Sequence, residues 1–162
     1  MDYSTGTNRG RGIVNLYTED NILLATFQAF PVGGVIPRLA EIKNELYVFA
    51  VKKRAGSSIR AYDTNGNLLT AKRLSPKLHW RKMATGNLNA TKNTEEIVVA
   101  SKRGSSIYLK IYSFNVDDNK FHLQKRTMFR YIRRDYRLQI KNKNVIVIIN
   151  GKGKEVFSWT PF

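Results

Sequence analysis

The 162-residue chain contains no cysteine, which removes a disulfide framework, a thiolate metal site and a cysteine nucleophile at once. Histidine is nearly absent: the chain has His79 and His122, and neither has a carboxylate at a spacing that would make a metal-ligand or proton-relay set. No run approaches the ~18–20 uninterrupted apolar residues of a membrane span. The opening Met1-Asp2-Tyr3-Ser4-Thr5-Gly6 lacks the apolar core of a signal peptide. Acidic side chains are scarce, 12 Asp and Glu against 28 Lys and Arg. The adjacent pairs Glu95-Glu96 and Asp117-Asp118 fall at expected turns, and strand neighbours point to opposite faces, so neither pair makes an acid/base couple. Gly151-Lys152-Gly153-Lys154 lacks the spacing of a phosphate loop. No enzyme is expected from these residues.

What the chain does have is ordinary globular composition, 42% hydrophobic and 25% charged, and enough length to bury a core without metals or disulfides. It also has a repeat of roughly 50 residues. Leu46-Tyr47-Val48-Phe49-Ala50 runs into Val51-Lys52-Lys53-Arg54-Ala55-Gly56-Ser57-Ser58, and Glu96-Ile97-Val98-Val99-Ala100 runs into Ser101-Lys102-Arg103-Gly104-Ser105-Ser106. Val145-Ile146-Val147-Ile148-Ile149-Asn150, followed by Gly151-Lys152-Gly153-Lys154, is a third copy. A second element keeps the same period: Ile13 to Tyr17, Ile59 to Tyr62, Leu109 to Tyr112, and Val156 to Trp159.

Each of these segments reads as strand. The Ile97–Ala100 and Val145–Ile149 runs are short, apolar and mostly β-branched, as in strands covered on both faces. Asp63-Thr64-Asn65-Gly66-Asn67 supplies the positive φ of a tight hairpin, and Glu19-Asp20-Asn21 and Val116-Asp117-Asp118-Asn119 fill the same slot. The fold class expected is all-β: a partial β-propeller of roughly 50-residue, four-stranded blades. Its units span about 10–30 (strands C and D, Ile13 to Thr18 and Ile22 to Phe27), 31–75, 80–128 and 129–162 (strands A, B and C). Two complete blades are thus flanked by incomplete ones, and the partners expected for the open ends are further blades of a longer propeller or other copies of the chain.

Gly86-Asn87-Leu88-Asn89 leading to Glu96-Ile97-Val98-Val99-Ala100-Ser101 resembles the FG-GAP, or VCBS-type, propeller repeat, and so does Ser58 through Leu69. The resemblance covers roughly Gly10 to Trp159 and extends to integrin alpha-chain propellers and bacterial surface proteins. It implies a propeller with a non-catalytic binding or adhesion role and an extracellular or cell-surface location. It also implies a calcium loop of the kind Asp-x-Asp-Gly-Asp-Gly-x-x-Asp. The matching stretch here is Asn87-Leu88-Asn89-Ala90-Thr91-Lys92-Asn93-Thr94-Glu95, with amides and a lysine where carboxylates belong. Calcium takes ~6–8 oxygen ligands, so neither calcium nor any other cofactor is expected.

Successive antiparallel strands send their loops to alternate ends. Sorted this way, one end collects Arg9, Arg11, Lys52, Lys53, Arg54, Lys102, Arg103, Lys152 and Lys154, with Arg73, Lys77, Arg81, Lys82, Lys125, Arg126, Arg130, Arg133 and Arg134 from the links between blades. The other end holds Glu19, Asp20, Glu41, Glu45, Asp63, Glu95, Asp117 and Asp118. Trp80 and Tyr131 lie among the cations. Cations interleaved with rings suit a polyanion, either an anionic glycan or single-stranded nucleic acid, and a protein partner fits the resemblance equally. The same charges also suit solubility and protection of sheet edges, which leaves a purely structural role open, and the two rings also suit inter-blade packing. The candidate binding set is Lys52, Lys53, Arg54, Lys77, Trp80, Arg81, Lys82, Lys102, Arg103, Arg130, Tyr131, Arg133 and Arg134. Isothermal titration with calcium is expected to show no sub-millimolar binding; saturable heat in that range would contradict the reading of Asn87–Glu95.

Overall fold

The computed structural model describes residues 2–53, 58–75, 79–90 and 94–162, with the side chains of 79 and 80 left out. Among the described residues all regular structure is strand, and no helix is long and apolar enough to cross a membrane. Among the described residues, fourteen strands form four antiparallel sheets, each a meander of sequential neighbours. Sheet one is β1 (Tyr3–Gly6), β2 (Gly12–Tyr17) and β3 (Leu23–Phe30). Sheet two is β4 (Val35–Ile42), β5 (Glu45–Lys52), β6 (Ser58–Tyr62) and β7 (Leu68–Arg73). Sheet three is β8 (His79–Gly86), β9 (Glu96–Arg103), β10 (Ser106–Asn115) and β11 (Lys120–Arg130). Sheet four is β12 (Tyr136–Lys141), β13 (Val145–Asn150) and β14 (Glu155–Trp159).

The turns follow from residue chemistry. Lys43 and Asn44, at φ 53° and 63°, close the two-residue β4–β5 hairpin in the left-handed conformation such turns require. At the β6–β7 turn, Asp63 Oδ1 accepts the Asn65 and Asn67 N–H groups at 2.9 and 2.8 Å while Gly66 takes φ 86°. The β13–β14 turn repeats the device with Asn150 Oδ1, Lys152, Lys154 and Gly153. The longest connection inside a sheet joins β8 to β9. There the Glu96 carboxylate, 2% exposed, accepts the Leu88 and Asn89 N–H groups at 2.8 and 3.3 Å. A protein carboxylate organises the described part of the loop in which the repeat resemblance implies a metal; residues 91–93 of that loop lie outside the described residues.

Three apolar clusters lie between successive sheets. Val14, Leu16 and Phe30 of sheet one pack with Val35, Val48 and Ala50 of sheet two. Phe49, Val51 and Ile59 of sheet two meet Met83, Ile97, Val99, Phe114 and Phe121 of sheet three. Val98, Ala100, Ile107, Leu109 and Ile111 of sheet three meet Tyr136, Leu138, Ile146 and Ile148 of sheet four. Sheets two and three are therefore covered on both faces. That explains the unbroken apolar runs Leu46–Val51 in β5 and Ile97–Ala100 in β9, where a one-sided strand would alternate. Phe49, Phe114 and Phe121 meet edge-on or tilted with centroids 5.2–5.8 Å apart.

The first strands of sheets two, three and four are neighbours, β4 against β8 and β8 against β12. They meet at matching stages: the Thr85 hydroxyl donates to the Leu39 carbonyl at 2.5 Å, and Ile140 fills the space beside Gly86. β1 also lies against β4, and its end meets the start of β4, where the Val35 N–H donates to the Thr7 carbonyl at 2.9 Å. The opening sheet thus has three strands among the described residues. The expected C and D pair is corrected by one strand, because Tyr3-Ser4-Thr5-Gly6 is too short and polar to read as strand alone, and forms one by pairing Tyr3–Gly6 with Val14–Tyr17. Replacing Phe49, fully buried in the central cluster, with alanine is expected to cost about 3–5 kcal/mol in urea unfolding. Thr26→Ala, on the outward side of sheet one, is expected to cost under about 0.5 kcal/mol.

Candidate functional site

One end of the stack is built from the connections that follow the second and fourth strands of the repeat. Gly34 N–H donates to the Gly10 carbonyl at 3.3 Å, Lys53 Nζ donates to Asn8 Oδ1 at 2.6 Å, and Tyr131 N–H donates to the Ser105 carbonyl at 2.6 Å. Asp135 lies against Gly151, in space that any side chain there would fill. The opposite end is acidic and bound to itself. Lys43 pairs with Asp117 at 2.7 Å, Tyr47 donates to Glu45 at 2.7 Å, and Glu41 and Glu95 exchange bonds through their backbones and the Glu95 carboxylate.

The candidate cations separate into groups. Arg103, Arg130, Arg133 and Arg134 are exposed, and Lys52, Lys53 and Lys82 are half-buried. Arg54 and Lys77 lie outside the described residues, as does the Trp80 side chain. Arg81 is corrected from a surface contact to a core residue. It is 1% exposed, its Nη2 donates to the Ser75 carbonyl at 2.8 Å, and Nε and Nη1 have no partner among the described residues. Lys102 is likewise buried, at 4% exposure, with Nζ donating to the Tyr131 carbonyl and 5.4 Å from the Tyr131 ring centroid. Tyr131 is an anchor and not a free ring: it is buried, and its hydroxyl donates to the Asp135 carbonyl at 2.7 Å. Arg81 and Lys102 lie in β8 and β9, which are packed on both faces, and Tyr131 packs with Tyr136 and Leu138 of sheet four; a list of basic residues does not record that direction.

Lys82 and Arg134 come together with Arg137, Asp135, Tyr136 and Gly151 around a cavity of about 370 Å³. Asp135 is the carboxylate in this lining. Burial first, then the fields of Lys53 and Arg38, hold the Lys82 ammonium below the ordinary lysine range. Burial and then Arg134 do the same to Lys102. Burial pushes the Tyr136 phenol up. Arg38 and Arg137 were missed by sorting loops alone. Each is an exposed position in a strand whose alternate residues are buried, and that alternation is the signal that finds them.

A second cavity, about 470 Å³, opens between sheets two and three. It is lined by Ser75 from the link after β7, by Arg103, by Tyr108, Leu109 and Lys110 of β10, and by Arg126, Thr127 and Met128 of β11. Lys125, Arg126 and Arg130, read from sequence as link residues, belong to β11, which runs to Arg130. Among the described residues there is no cluster of three His, Asp or Glu that could hold a metal.

Because its ammonium is disfavoured in the folded state, Lys82 weakens stability at neutral pH, and that penalty fades as pH rises through its lowered folded value toward the unfolded value near ~10.4. Lys82→Met is therefore expected to be stabilised relative to the parent at pH 7. The difference in denaturation midpoint should shrink toward pH 10; a constant difference would contradict this assignment.

No protein-family model matches the chain, and no curated protein compared with it does. Among solved structures it is similar to an exotype rhamnogalacturonan lyase, YesX, with a TM-score of 0.59 and 9% sequence identity. The alignment covers 94% of this chain and 35% of that one, so the chain spans about a third of its neighbour's length and shares its fold over that part.

Proposed function

We propose that the chain is a set of consecutive β-propeller blades, an FG-GAP-like segment without calcium loops, whose basic end binds an acidic polysaccharide without transforming it. The propeller reading draws support from four meander sheets stacked in sequence order with β4, β8 and β12 side by side. Four sheets fall short of most rings of 4–8 blades. Further blades of a longer chain, or a second copy, would cover the outward faces of sheets one and four.

The binding reading rests on one observation: cations gather at one end, where Asp135 is the carboxylate lining the cavity. A +16 chain whose acids at the far end are bound by local partners, Asp117 by Lys43 and Glu95 by the Glu41 backbone, attracts polyanions at long range. The name of the similarly folded neighbour joins that fold to a uronate-containing polysaccharide. The non-catalytic part of the reading draws on the cavity's described side chains, which pair one carboxylate with arginines, a lysine and a tyrosine and, among the described residues, include no histidine.

Polygalacturonate is expected to bind, with affinity falling steeply between about 50 and about 200 mM salt. Arg133→Glu combined with Arg137→Glu should weaken it tenfold or more. Tighter binding of single-stranded nucleic acid than of the glycan would replace this reading, and release of unsaturated uronate, followed by ultraviolet absorbance, would refute its non-catalytic part.

A further inference from the structure

We propose that the cleft between sheets two and three is a binding subsite for an acidic sugar residue, its anionic group held by Lys110 and Arg126 and its ring laid on Tyr108. This rests on the reading above and gives it a location. The two sheets are pinned together by Phe49, Phe114 and Phe121. Beside that cluster, β10, β11 and the link after β7 enclose the cavity of about 470 Å³, within the ~300–1,000 Å³ usual for small-ligand sites.

The cations in it are arranged against their own interest. The β10–β11 register sets Lys110 directly opposite Arg126, and like charges directly opposed across a strand pair destabilise it. Arg103 lines the same cleft, and among the described residues no carboxylate does. The ion pairs among the described side chains are Lys43–Asp117, His122–Asp118 and Lys141–Glu155, and none of them includes Arg103, Lys110 or Arg126. Ser75, which lines the opposite wall, takes its carbonyl bond from the buried Arg81, whose other nitrogens have no described partner. One carboxylate or sulfate seated between Lys110 and Arg126 relieves that repulsion and accepts charge-assisted bonds from both.

The rest of the lining selects what carries the anion. Tyr108 and Met128 face each other across the strands, giving an apolar patch beside the charges on which the C–H face of a sugar ring can lie. Single-stranded nucleic acid fits less well, because successive bases need successive stacking platforms, and among the described residues Tyr108 is the single ring in this lining.

The test measures binding of trigalacturonate and of a sulfated galactan tetrasaccharide to the full chain by calorimetry. Binding of the first assigns a carboxylate subsite and binding of the second a sulfate subsite; either supports the proposal. Arg126→Gln and Lys110→Gln are each expected to weaken the bound oligosaccharide tenfold or more while raising the melting temperature of the free protein. Lys120→Gln, exposed at the far end of β11, should leave short-ligand affinity within twofold. Equal affinity for the glutamine variants and the parent overturns the subsite, as does a fall in melting temperature for both. If neither short ligand binds while polygalacturonate still does, the subsite fails and the basic-end reading stands; if the polymer fails too, both fall. Oligothymidylate binding that depends on Arg126 and Lys110 would reassign the cleft to nucleic acid.

Discussion

Everything in this structure depends on the burial of both faces of the inner sheets. β5 and β9 offer apolar side chains in both directions, and a sheet made of such strands is stable only between two others. The aromatic cluster of Phe49, Phe114 and Phe121 and the aliphatic cluster around Val98, Ile107 and Ile146 are the two sides of that constraint. Stacking is imposed by the dry faces, and each meander needs only tight turns to return its chain to the next position. The outward faces obey a different rule: Arg137, Gln139 and Lys141 alternate with the buried Tyr136 and Leu138 in β12.

Stacked meanders then sort the connections mechanically. With strands antiparallel, connections alternate between ends, so any bias of residue type between odd and even loops becomes a polarised molecule. Here the acids are matched locally, Asp117 by Lys43 and Glu95 by the Glu41 backbone. Lys82, Arg134 and Arg137 at the other end share one carboxylate-bearing neighbour in their cavity, Asp135. The excess positive charge is a property of the whole end, and burial first, with that field second, lowers the affinity of Lys82 and Lys102 for protons.

Two cations pass out of that surface into the interior. Lys102 is held by the Tyr131 carbonyl and ring, which ties the β9–β10 turn to the link before sheet four. Arg81 is held by the Ser75 carbonyl, which ties β8 to the link after sheet two. Both connect neighbouring sheets at the basic end, where the apolar clusters thin out. A buried guanidinium with a single described bond is costly, and its place behind the inter-sheet cleft marks where the stack carries polar strain.

The amino-acid order alone determined the strand content, the repeat of roughly 50 residues, the two four-stranded units and the three-stranded closing one. These depend on β-branched runs, Asn-Gly chemistry and local alternation, all legible within a few residues. It also determined which loops are basic and which acidic, since that follows from counting strands. The first strand escaped it, because Tyr3–Gly6 becomes a strand only through the bonds β2 offers. Which cations face water was likewise settled only by packing: Arg81, Lys102 and Tyr131 turn inward. The cleft of Tyr108, Lys110 and Arg126 exists because the link after β7 brings Ser75 beside β10 and β11. Such a gap between elements distant in the chain is a distance in space, and residue order along one dimension carries no measure of it.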